Sequence, residues 1–219
     1  MPKKPSGEIG ITKISATSDG QIAEVISIDL PDDKEGLEKY FADKYKFVYQ
    51  FNKDDPDNPI TIIQQNDTTD LDFNISGSPA KYLELAEIAP YSEEVGKSAL
   101  EGQWINVYHF SKWIWKQLIA KKQERYGGVC KDTILLVYVA RWEFYITQSI
   151  LHSLIWTLQN KGCSFHEVFL LQCAGEDAHL LWKLHPNDHS LDHPRKFKEN
   201  RYLNERPGTN GITTPSSVS

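Results

Sequence analysis

The chain has 219 residues, a formal net charge of -6, 40% hydrophobic and 25% charged residues, and 3 Cys. That length suits one domain with a substantial core, and the composition excludes a disordered or collagen-like chain. Cys130, Cys163 and Cys173 include no CxxC pair and read as small buried hydrophobes, not as a disulfide scaffold. No run approaches the roughly 18 apolar residues of a spanning helix, and the opening MPKKPSGE has no apolar stretch that would serve secretion. The expectation is a cytoplasmic protein with no membrane partner. Mild acidity leaves a nucleic-acid partner open, but any phosphate-binding surface must be a local patch.

In chain order, residues 1–8 read as a loose terminus. Two apolar alternations, 9–14 and 22–28, flank Asp19-Gly20, a strong turn signal, and predict a hairpin within an N-terminal extension over 1–30. Pro31, Asp32 and Asp33 then open a helix over about 33–45, where Leu37, Tyr40, Phe41 and Tyr45 recur at helical spacing. A polar loop over 52–59 precedes three strand-like runs, 60–65, 71–75 and 81–88, separated by turn residues, which read as a meander.

A connector over 90–102 leads to a long amphipathic helix from 103 to about 124. Trp104, Val107, Tyr108, Phe110, Ile114 and Leu118 form its broad apolar face, and Lys112, Lys116, Lys121 and Lys122 lie largely off it. Gly127-Gly128 stops that helix. Residues 133–139 are nearly all apolar, as in a strand buried on both faces. A helix over 142–160 ends at Gly162, and strands over 168–171 and 178–184 complete the pattern. Strands alternating with helices require parallel crossovers. The predicted fold class is therefore α/β (α+β), a mixed central sheet with a three-strand meander flanked by helices. The core spans 31–185, followed by a polar, partly disordered segment over 186–219.

The chemistry concentrates in the meander. Along its third strand Tyr82, Glu84 and Ala86 share one face and Lys81, Leu83, Leu85 and Glu87 the other, while Asp70 and Asp72 share parity on the second strand. Carboxylates inside a sheet are costly unless compensated. Asp72, Glu84 and the backbone carbonyl of Leu85 would offer hard oxygen ligands to Mg²⁺ or Mn²⁺, which would orient a water and stabilise charge on a phosphate. The same alternation also suits a solvated sheet face with no function.

This order of elements, with its acidic pair, resembles the PD-(D/E)xK or restriction-endonuclease-like nuclease superfamily. The resemblance covers roughly residues 33 to 140. It implies that Asp72 is the motif's first acid, with Leu71 where Pro is usual, and that Glu84 is the second. Glu38 matches an extra acidic residue of the first helix, and Gln103 a polar residue of the helix after the meander. The motif's lysine position holds Ala86, and Lys112 or Lys116 of that helix would substitute for it. The resemblance implies a metal-dependent nucleic-acid phosphodiester hydrolase acting on DNA or RNA, or one inactivated by loss of the lysine. The alternative is a non-enzymatic interaction or structural protein. Its homodimer or partner surface would be the aromatic helix bearing Trp104, Tyr108, Phe110, Trp113 and Trp115.

Two further segments carry chemistry. His185, Asp188, His189, Asp192 and His193 offer ligands to Zn²⁺ or another transition metal, or form a polar surface loop. Arg195, Lys196, Lys198, Arg201 and Arg206, interleaved with Phe197 and Tyr202, suit a nucleic-acid backbone or a solvated terminal segment. Residues 29 to 57 are acid-rich and would repel DNA.

Overall fold

The computed structural model describes residues 9–17, 20–28, 30–51, 59–65, 71–89, 105–140, 144, 146–173, 179–186 and 204–205. Ile9–Thr17 (β1) and Gly20–Ile28 (β2) pair antiparallel without interruption, from Ile9 opposite Ile28 to Thr17 opposite Gly20, as the turn signal between them predicts. Helix α1, Lys34–Phe51, begins where Asp33 accepts a hydrogen bond from the Gly36 N–H (2.7 Å). It runs past the expected end at 45 because Val48 and Tyr49 carry its inward stripe onward from Leu37, Phe41 and Tyr45.

The meander strands are Thr61–Gln65 (β3), Phe73–Ser76 (β4) and Tyr82–Glu87 (β5). After them come the short Ile105–Asn106 (β6), then Thr133–Val139 (β7), Glu167–Cys173 (β8), His179–His185 (β9) and Asn204–Glu205 (β10). Six of these form one sheet in the order β3-β4-β5-β7-β8-β9, while β6 pairs with β10. The meander is antiparallel, β5, β7 and β8 run parallel, and β9 returns antiparallel, so the sheet is mixed. Every residue of β7 is buried, as its apolar run requires.

Between β5 and β7 a helical rod crosses the sheet in three segments: Val107–Ile114 (α2), a π-helical stretch Trp115–Ala120, and Lys121–Tyr126 (α3). The Asn106 side chain accepts from the His109 N–H (3.1 Å) and sets the rod's start. Its inward stripe steps through Val107, Phe110 and Ile114 at α-helical spacing, then by five residues to Ile119. A stretch of regular α-helix would have placed Leu118 there, but Leu118 is only partly buried while Ile119 is fully so. Helix Gln148–Lys161 (α4) is capped by the Thr147 side chain and stops at Gly162. It starts later than the expected 142. Just before its cap, Ile146 is held to β8 by Gln172, whose amide accepts from the Ile146 N–H (2.6 Å) and donates to the Ile146 carbonyl (3.4 Å).

Two hydrophobic cores result, one on each face of the sheet. One packs α1 on Leu83, Leu85, Leu136 and Phe169, with Phe41 stacked on Tyr138 at 4.2 Å between ring centroids. The other packs the rod and α4 on Ala86, Leu135, Val137 and Leu170. Phe110 and Trp113, expected on a broad aromatic surface, are buried in this second core, and Tyr108 tilts against Trp156 of α4. Trp104 lies outside the described residues. Among the described residues no helix is long and apolar enough to cross a membrane.

The β4–β5 turn passes through Gly77 at φ 73°, where an added Cβ would collide with the Pro59 carbonyl. Gly162, at φ 82°, has open space around it. Gly77→Ala is therefore expected to lower stability by about 3 kcal/mol or more, and Gly162→Ala by about 1–2 kcal/mol. Urea unfolding midpoints at constant m-value check the ranking, and equal costs would contradict it.

Candidate functional site

Strands β4 and β5 pair only at Phe73–Leu83 and Asn74–Tyr82. Beyond that point the two chains separate, and β4 begins one residue after Asp72, not at the expected 71. Asp72 thus lies outside the ladder, with its backbone N–H free for a side chain. It donates to Glu84 Oε2 (3.1 Å), while Asp72 Oδ2 accepts from the Leu85 N–H (2.6 Å). Each carboxylate therefore satisfies the other strand's backbone across the fork, which brings the two predicted acids together.

Glu84 is 1% exposed. It faces the rod, on the same side as Ala86, as its alternation along β5 requires. Its Oε1 is ion-paired with Lys122 and accepts from the Tyr126 hydroxyl (2.8 Å). Because the buried stripe steps by five through the π-helical stretch, the next inward positions after Ile119 are Lys122 and Tyr126. A π-helical turn retards the helical phase, and such turns are frequent at functional sites. From the other side of the sheet, α1 contributes Glu38, only 5% exposed and paired with Lys34 at 3.2 Å.

The electrostatics follow from these placements. Burial, then the charges of Glu84 and Glu38, push the Asp72 carboxyl up to about 7, against smaller opposing effects from the Leu85 N–H and Lys122. Partial burial alone would lower the Lys34 ammonium, but Glu38, Asp72 and Glu84 outweigh it and raise the value. Burial and the neighbouring Glu84 also raise the Tyr126 phenol, which stays protonated and donating. Three carboxylates thus share one locality, where burial first and their mutual repulsion second hold the Asp72 carboxyl above its ordinary range.

The other predicted residues fall elsewhere. Lys112 and Lys116 are exposed on the rod, with Lys112 over the Tyr108 ring at 5.4 Å, and the lysine that reaches Glu84 is Lys122. Leu85 is buried, and its amide is the group held by Asp72. His185 ends β9, whereas Gln103, His189, His193, Arg195, Lys196, Lys198 and Arg201 lie outside the described residues. Among the described residues no group of three or more His, Cys, Asp or Glu side chains is arranged to hold a metal ion. Comparison of the chain with protein-family models, with curated proteins and with solved structures gives no match in any of the three.

Asp72 has a pH signature. Its carboxyl binds a proton more tightly folded than unfolded, so its favourable contribution is complete below pH about 4 and is lost as the pH rises through about 7. Asp72→Asn, uncharged throughout, is expected to be more stable than the wild type by roughly 1–3 kcal/mol at pH 8 and nearly equal to it at pH 4. Thermal unfolding at the two pH values checks this. A wild type more stable than the variant at pH 8 would contradict it.

Proposed function

We propose that this chain is a metal-dependent phosphodiester hydrolase of restriction-endonuclease-like architecture, acting on nucleic acid. The observation that carries the reading is the ion pair between Lys122 and Glu84, beside the reciprocal Asp72–Glu84 clamp. It supplies the lysine that position 86 lacks, from the helix after the meander. The element order supports the same reading, as does the buried Glu38 on α1.

The donor set fits a hard divalent cation such as Mg²⁺ or Mn²⁺. Asp72 and Glu84 meet across the fork, and the charge of Glu84 acts directly on the Asp72 carboxyl. Mg²⁺ commonly takes one or two protein carboxylates and completes its sphere with water and phosphate, so a third protein ligand is not required. Bound there, the cation would polarise a phosphoryl oxygen and lower the pKa of a coordinated water.

The chain's own groups have separable tasks. Asp72 and Glu84 would hold the cation, and their bonds to the Leu85 and Asp72 amides tie the two strands together. Lys122 presents a positive charge to the phosphate as negative charge develops on it. Tyr126 orients Glu84 through its hydroxyl. The rod that carries them is basic within an acidic chain, with Lys112, Lys116, Lys121, Lys122 and Arg125 against Glu124, which suits a phosphate backbone.

The test is cleavage of single- and double-stranded DNA and RNA with Mg²⁺ or Mn²⁺. Glu84→Ala and Lys122→Met are each expected to reduce the rate by about 100-fold or more, and Lys112→Met to change it by less than about threefold. Cleavage unaffected by Glu84→Ala would overturn the assignment.

A further inference from the structure

We propose that Lys122 is a resident counterion of Glu84, and that it exchanges with a divalent cation for the same carboxylate oxygen. The inference rests on the cation site proposed above. Glu84 Oε1 already receives two donors, the Lys122 ammonium and the Tyr126 hydroxyl, while Oε2 receives the Asp72 N–H. On this nearly inaccessible carboxylate both lone-pair positions of Oε1 are taken, so that oxygen has none left for a cation while the ammonium stays. Removing Lys122 with nothing in its place would leave a buried charge unpaired, which is costly. Ammonium and divalent cation are therefore alternatives, each stabilising the same oxygen.

Lys122 is built to move. Its side chain is 24% exposed against 2% for Glu84, and it lies over the Tyr126 ring at 5.9 Å. The ring face offers the ammonium a second resting place when it leaves Glu84, while the Tyr126 hydroxyl keeps the carboxylate in position. Without a cation, Lys122 neutralises Glu84 and is withheld from substrate. With a cation, it is released toward the phosphate. Site assembly and lysine availability are then one event, set by a single oxygen.

The test measures Mn²⁺ binding to the full-length protein by calorimetry at one fixed pH. A lysine resident on Glu84 for nine-tenths of the time weakens apparent affinity about tenfold. Lys122→Gln is therefore expected to bind Mn²⁺ roughly tenfold more tightly than the wild type, and Lys121→Gln, which removes an exposed neighbouring charge, to differ by less than about twofold. Lys122 acetylation by acetic anhydride, quantified by mass spectrometry in the wild type, is expected to rise when Mn²⁺ is added. Equal or weaker binding by Lys122→Gln, or unchanged labelling with Mn²⁺ bound, would overturn the exchange and leave the cation site standing. No binding to either protein would overturn the cation site, and the exchange with it.

Discussion

The fork between β4 and β5 holds two carboxylates that each do the work of a missing strand partner. Asp72 accepts the Leu85 amide and Glu84 accepts the Asp72 amide, so the acids are structural members of the sheet as well as its most concentrated charge. Burying Glu84 at 1% exposure requires compensation, and the rod supplies it through Lys122 and Tyr126. The rod's phase, the truncation of β4 and the depth of Glu38 in α1 all bear on this one locality.

A buried ion pair is weak evidence for stability, because desolvation of both charges offsets most of their attraction. Here the offset is incomplete in a telling direction. With Lys122 in place, the Asp72 carboxyl is still displaced upward to about 7. The two acids serve two ends at once: they satisfy the Asp72 and Leu85 amides, which an apolar fork would leave without partners, and they concentrate buried charge at one point of the sheet.

Much of the architecture is legible in the residues. The Asp19-Gly20 hairpin, the meander, the buried run of β7 and the alternation that puts Glu84 and Ala86 on one face follow from period-two patterning and turn chemistry, which are local. What escaped was a matter of helical phase. Lys112 and Lys116 lie off the rod's inward face, and no composition cue marks the π-helical stretch at Trp115–Ala120 that brings Lys122 inward. Its one trace is that Ile119, not Leu118, continues the stripe after Ile114. Tyr126 lies beyond the expected helix end at 124, so its bond to Glu84 was equally hidden. The late start of α4 depends on Gln172, a contact from a distant strand that local patterning does not carry.

The most direct measurement is an NMR titration of the Asp72 carboxyl carbon, with and without Mg²⁺. Burial beside two other carboxylates predicts a midpoint near 7 without the cation. In saturating Mg²⁺ the midpoint should fall by at least about one unit, since a bound cation favours the ionised form. A midpoint near the ordinary value of about 4, unmoved by Mg²⁺, would contradict the account.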